Sequence, residues 1–171
     1  MSSPATASES AWARVLRDPQ LRDLPYKVET NGFGQIVLSP HTPYHSLLQS
    51  QIYDALKTHV DRPGRPTTEF AVATDEGVKV PDVVWLSRDR FRQVPPDADA
   101  SPVMPEICVE VLSESNTEGE IAEKRWLYLR EGAKEVWTCD EDGSMTFYDA
   151  NGQRDASLLA PSFPPSVAIE E

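Results

Sequence analysis

At 171 residues with 39% hydrophobic side chains, the chain is long enough to bury a core and short enough to be expected as one domain spanning residues 1–171. A formal net charge of −12 argues against holding a duplex through a broad lysine and arginine surface that neutralises phosphates. No run of eighteen apolar residues occurs and no basic stretch precedes an apolar one, so neither a membrane span nor a secretory leader is expected, and the cytoplasm is the expected location.

Residues 1–8 are small and polar and read as a disordered lead, after which Ser10 caps a short helix over Ala11–Arg17 that Asp18-Pro19 ends. Tyr26–Thr30 and Gln35–Leu38 read as two strands of a hairpin around Asn31-Gly32. Past the Pro40–Pro43 loop, Tyr44, Leu48, Ile52, Ala55 and Leu56 form one apolar stripe, which predicts a helix ending near Val60. The β-rich runs Thr67–Ala73 and Val78–Leu86 flank Thr74-Asp75-Glu76-Gly77 and predict an antiparallel hairpin. Pro81 cannot donate to a ladder, so an edge position or a bulge is expected there.

A polar, proline-rich loop with one short turn near Arg88–Phe91 leads to a strand over Glu106–Leu112. Its two-residue period places Glu106, Cys108, Glu110 and Leu112 on one face and Ile107, Val109 and Val111 on the other. A helix follows over Glu118–Arg130, stopped by Gly132, then strands over Lys134–Cys139 and Met145–Tyr148. Residues 153–165 read as irregular, with a terminal strand over Ser166–Ile169. Cys108 and Cys139 sit in apolar runs and read as core residues, not as a disulfide or zinc pair. The core, about residues 26–150, therefore runs helix, strand, strand, strand, helix, strand, an α/β arrangement.

Eight acids and no lysine or arginine lie between Asp97 and Glu123, a density beyond what solubility requires, with a solvated acidic face as the plain explanation. Asp82 interrupts an apolar stripe, and burying it unpartnered would be costly. Asp82 and Glu110 each read separately as exposed strand carboxylates. If their elements neighbour one another, Asp82, Glu110 and Lys124 converge to offer two hard oxygen ligands for Mg²⁺ and a positive charge for a phosphate, the chemistry of phosphodiester hydrolysis.

Gly34-Gln35-Ile36-Val37-Leu38-Ser39-Pro40 with His45, then Pro81-Asp82, Glu110-Val111-Leu112-Ser113, and Glu123-Lys124 through Tyr128, Gly132 and Trp137, resemble the Uma family of restriction-endonuclease-like proteins, a branch of the PD-(D/E)XK nuclease superfamily. The resemblance covers roughly residues 26–140. It implies a restriction-endonuclease-like α/β core with a mixed central sheet flanked by helices. It also implies a Mg²⁺-dependent endonuclease, with Mn²⁺ as a substitute, that cuts DNA with a metal-activated water. Carried over, the metal-binding pair is Asp82 and Glu110, and the lysine is Lys124. In the broader superfamily a lysine lies two residues after the acid; that position here is Leu112, and the resemblance implies that its role has moved to the helix. His45, Glu106 and Glu29 are implied as supporting groups.

Glu120, one turn before Lys124, is an expected helix-stabilising partner for it. Trp85, Trp126, Trp137 and Tyr128 are expected in the core. Three functions stay open: a duplex endonuclease working as a homodimer, a nuclease for a small or single-stranded substrate, and an inactive nuclease-fold interaction or regulatory module. A basic rim from Arg65, Arg88, Arg90, Arg92 or Lys79 would favour nucleic acid, and an acidic rim the non-enzyme reading.

Overall fold

The computed structural model describes residues 10–167 and 169; the expected disordered lead and part of the expected terminal strand fall outside them. Ser10 accepts from the Ala13 N–H to cap α1 (Ala11–Arg17). Asp18 both ends that helix and caps a further one, α2 (Pro19–Arg22), by accepting from the Gln20 N–H. Asp18-Pro19 is thus a start signal as well as a stop, because proline suits the first position of a helix. The expected hairpin forms from β1 (Tyr26–Thr30) and β2 (Ile36–Pro40), a two-stranded sheet of its own. The long helix α3 (Pro43–His59) is capped by Thr42 with Pro43 in its first turn, and buries Leu48, Gln49, Ile52 and Leu56.

The expected hairpin of residues 67–86 is a broken one. Its stem pairs β3 (Gly64–Thr68) with β6 (Val83–Ser87), and its tip pairs β4 (Val72–Thr74) with β5 (Gly77–Lys79) in a separate sheet. At the break, Pro81 has no N–H to give and Glu69 adopts a φ of 50°, with its N–H donating to the Asp82 carbonyl. Asp82 therefore lies at the point where two ladders part. The tip folds onto β1, where Gly77 lies so close to the chain that an added Cβ would sit 2.5 Å from the Thr30 carbonyl oxygen.

A short helix, α4 (Arg88–Phe91), and a loop lead to β7 (Ile107–Val111). Then come α5 (Glu118–Arg130), β8 (Glu135–Cys139), β9 (Met145–Asp149) and β10 (Gly152–Arg154), the last within a stretch that reads as irregular in sequence. The central sheet has the order β10-β9-β8-β7-β6-β3; β7 and β8 are parallel and every other pair is antiparallel. A parallel pair needs a crossover, and α5 supplies it. Its N-terminus carries a capping box between Thr117 and Glu120, and Gly132, at φ 117°, follows its C-terminus. Near the end of the described residues, Ser166 forms an isolated antiparallel bridge with Ser144.

Every residue of β7 and β8 is buried, so both sheet faces are covered. Ile107, Val109 and Val111 pack with Leu48, Ile52 and Leu56 of α3 on one side, while Cys108 packs with Val84, Val136 and Tyr128 of α5 on the other. Each buried side chain of this size contributes roughly 1.5–3 kcal/mol. The face of β7 that carries its carboxylates is thus not solvated, and Glu110 is buried on the α5 side. The architecture is an α/β fold with a mixed central sheet flanked by helices.

Candidate active site

Val83 of β6 is registered with Val109 of β7, so in this antiparallel pair Asp82, one residue earlier, comes alongside Glu110, one residue later. Both are almost fully buried, at 3% and 4% exposure, so neither is the solvent-facing carboxylate that an isolated reading allows. Asp82 Oδ2 accepts from the Val111 N–H at 2.8 Å and faces His45 Nε2 at 3.4 Å, while Gln49 Nε2 donates to the Asp82 carbonyl at 2.9 Å. Two groups of α3 thereby fix the break in the hairpin. Glu110 Oε1 accepts from Tyr128 Oη at 2.7 Å and from Lys124 Nζ at 3.4 Å. Lys124 and Tyr128 are four residues apart on α5 and so share a face.

The remaining oxygens, Asp82 Oδ1 and Glu110 Oε2, converge on a single atom: the Nζ of Lys27, 3.0 Å from each. Lys27 reaches them from β1. Two residues along, on the same face of that strand, Glu29 accepts from Lys124 Nζ at 2.8 Å and from the Val80 N–H at 2.7 Å. Three acids and two lysines thus form one connected, largely buried cluster.

Burial opposes charge on every member, and the neighbours decide the outcome. Burial works against the Lys27 ammonium, yet Glu110, Asp82 and Glu29 hold it well above the usual lysine range. Burial raises the Asp82 carboxyl, but Lys27, His45 and the Val111 N–H overcome it and hold the group far below the usual carboxylate range. Glu29 is lowered against its burial by Lys124 and Lys27. Glu110 is raised, because burial together with the nearby Asp82 and Glu29 charges outweighs its two lysines. Burial also opposes charge on His45, but Asp82 raises its ring above the ordinary value, while its buried Nδ1 has no hydrogen-bond partner.

The space directly over the two carboxylates is only about 30 Å³, bounded by Lys27, His41, His45, Ser113, Asn116 and Lys124. It lies between two larger clefts. One, of about 460 Å³, is lined by Glu29, Glu76, Lys79, Glu120, Glu123 and Lys124; the other, of about 570 Å³, by His41, Tyr44, His45, Leu48, Glu114 and Glu141 among others.

Asp82, Glu110, Lys124, His45 and Glu29 thus come together as a group. Glu106 does not join them. Its Oε2 accepts from the Ser87 N–H at 3.0 Å and its Oε1 pairs with Arg90 at 3.3 Å, at the far end of β7, where it holds α4 to the sheet. Glu120 closes the capping box and is not the partner of Lys124. Trp85, Trp137 and Tyr128 are core residues, but Trp126 is 58% exposed with Arg130 over its ring. Among the suggested rim cations, only Lys79 borders a cleft beside the cluster; Arg90 is engaged by Glu106 and Arg65 lies over Phe91.

Among the described residues, no group of three or more His, Cys, Asp and Glu side chains is arranged to hold a metal ion. What the cluster offers is narrower: two carboxylate oxygens already aimed at one positive nitrogen. That donor chemistry fits Mg²⁺ or Mn²⁺, which take a few carboxylates and leave further positions to water or phosphate oxygens.

The sequence matches, over residues 18–165, the family described as "Putative restriction endonuclease", Uma2. The chain belongs to the Uma2 family. Its fold is similar to the crystal structure of "a putative nuclease belonging to DUF820" from Anabaena variabilis ATCC 29413, with a TM-score of 0.65 and 20% sequence identity over 80% of this chain and 82% of that one. At that identity the likeness speaks to the fold, which is consistent with a PD-(D/E)XK-like core. A comparison with curated proteins gives no match. Among the described residues no helix is long and apolar enough to cross a membrane.

Two residues of the cluster, Lys27 and Tyr128, are not among the site candidates that the sequence singles out. Their signals are present but faint. Lys27 and Glu29 form a charged face on an otherwise apolar hairpin strand, and Tyr128 stands one turn after Lys124.

Proposed function

We propose that this Uma2 protein is a Mg²⁺-dependent endonuclease that hydrolyses DNA phosphodiester bonds with a water nucleophile. The observation that carries this reading is the convergence of Asp82 Oδ1 and Glu110 Oε2 on one cation, with a second lysine on the outer oxygen of Glu110. A bound divalent ion would supply Lewis-acid stabilisation of phosphate charge and a more acidic water. The chain's own residues orient and polarise. The Val111 N–H and His45 fix the Asp82 carboxylate, and Tyr128 fixes that of Glu110. Lys124 supplies a positive charge at the mouth of the cluster, suited to the charge that develops on a phosphate. Cutting both strands of a duplex calls for two such sites, so a homodimer belongs to the same reading.

A second reading, a nuclease fold retained as an interaction or regulatory module, is favoured by one observation. The clefts beside the cluster are bordered by Glu76, Glu114, Glu120, Glu123 and Glu141 against Lys79 and Lys124, with no arginine among the described residues that line them. A plasmid-nicking assay with Mg²⁺ and Mn²⁺ separates the two. Wild type is expected to nick supercoiled DNA, and Asp82→Asn and Glu110→Gln to leave it intact. Wild-type protein inert on duplex and single-stranded DNA at millimolar ion would replace the first reading with the second.

A further inference from the structure

We propose that Lys27 is a built-in occupant of the divalent-cation seat, so that metal enters the site by displacing an ammonium ion and not by filling a vacancy. This rests on the reading of Asp82 and Glu110 as a metal-binding pair. The four carboxylate oxygens of that pair are divided cleanly. Asp82 Oδ2 is engaged by the Val111 N–H and His45, and Glu110 Oε1 by Tyr128 and Lys124. Only Asp82 Oδ1 and Glu110 Oε2 remain for an ion, and Lys27 Nζ holds both at 3.0 Å.

An ion that bridged those two oxygens at about 2.0–2.1 Å would take the position that the Lys27 ammonium holds between them. The 30 Å³ left above the pair is too small to seat an ion beside Lys27 without using the adjoining clefts.

Charge leads to the same conclusion. With His45 neutral, Glu29, Asp82 and Glu110 contribute three negative charges, and the lysines paired with them, Lys27 and Lys124, two positive ones. Adding a dication beside Lys27 would leave a buried positive excess. Putting the dication in place of Lys27 balances the three acids with Lys124 and the ion. Lys27 is also placed to leave, because β1 belongs to a two-stranded sheet outside the central ladder and its charge rides on a flexible four-carbon stem.

The test compares calorimetric titration of Mn²⁺ into wild type, Lys27→Met and Lys27→Arg, alongside thermal unfolding of each with and without Mn²⁺. Removing the resident charge from Lys27→Met is expected to tighten Mn²⁺ binding by ~10-fold or more. The same variant is expected to melt lower than wild type without metal and to gain more from its addition. Lys27→Arg, whose planar guanidinium can clamp both carboxylates, is expected to weaken Mn²⁺ binding by a similar factor. If Lys27→Met does not fold, the arginine variant decides alone. Wild-type binding with Lys27→Met unchanged or weaker, or with Lys27→Arg unchanged or tighter, would overturn the inference and leave the metal-binding pair standing. No Mn²⁺ binding by any of the three would remove the metal reading and this inference with it.

Discussion

Glu110 and Glu135 lie in the neighbouring parallel strands β7 and β8, both almost fully buried, yet their surroundings are opposite. The Glu135 carboxylate accepts from Trp137 Nε1, Ser157 Oγ and the backbone N–H groups of Leu158 and Leu159. All four donors are neutral and fixed, and the acid serves as a latch that ties the 157–160 segment to the sheet. Glu110 is instead held by two lysines and a tyrosine. Burial of an acid is therefore no sign of function by itself. A set of neutral N–H and O–H donors leaves nothing to exchange, whereas an ammonium group occupies a position that, in the proposed reading, another cation can take.

The largest expected effect falls on the exchangeable side. Asp82→Ala or Glu110→Ala is expected to abolish both Mn²⁺ binding and DNA nicking, while Glu135→Ala leaves the Mn²⁺ affinity of the folded protein unchanged. Cleavage by Asp82→Ala at the wild-type rate would erase the distinction. Next comes the cost of opening the latch: leaving four donors of Glu135 without their acceptor is expected to lower stability by about 3 kcal/mol or more, read as a shift in urea midpoint. A loss below about 1 kcal/mol would mean that the latch is not the structural element described.

Lys124→Ala sharpens the comparison within the cluster, since an ammonium cannot ligate a metal but can stabilise phosphate charge. It is expected to lower the maximal nicking rate by about 10²-fold while keeping much of the Mn²⁺ affinity. Glu106→Gln should do less than either. Arg90 also donates to the carbonyls of Met104 and Gly132, so its anchorage survives and the loss should stay near 1–2 kcal/mol, with metal affinity untouched.

A pH series gives the smallest signal. Asp82 and Glu29 both have folded-state values below their unfolded ones, so their contribution to stability is present above roughly pH 4 and fades as pH falls toward the folded values. Asp82→Asn should therefore flatten the decline in urea midpoint below about pH 4. An acid limb unchanged from wild type would show that Asp82 is not the buried, paired carboxylate described.

These contrasts also mark how much of the site the sequence alone carries. Asp82 and Glu110 stand out in sequence as acids in apolar runs, but each alone reads equally as an exposed strand carboxylate; the resemblance to the Uma family joins them, and the strand register brings them together. Their convergence with Lys124 followed, because α5 is the crossover directly after β7. Glu106 misled because a two-residue period gives the face of a strand and not the end. Four residues at about 3.3 Å each separate it from Glu110, which is enough to place it with Arg90 instead. Glu120 misled because helical spacing offers Lys124 a partner, while the N-terminal N–H groups of α5 needed a cap more. Lys27 was hidden for a different reason. It reaches its partners across 55 and 83 residues of chain, and no local pattern encodes the docking of the β1–β2 hairpin against the sheet.

The most direct test of the central claim is a calorimetric titration of Mn²⁺ into wild type, Glu110→Gln and Glu135→Gln. Saturable binding by wild type and by folded Glu135→Gln, and its loss in Glu110→Gln, is the expected result. Equal Mn²⁺ affinity in Glu110→Gln and wild type, or no binding by wild type at millimolar ion, would contradict it.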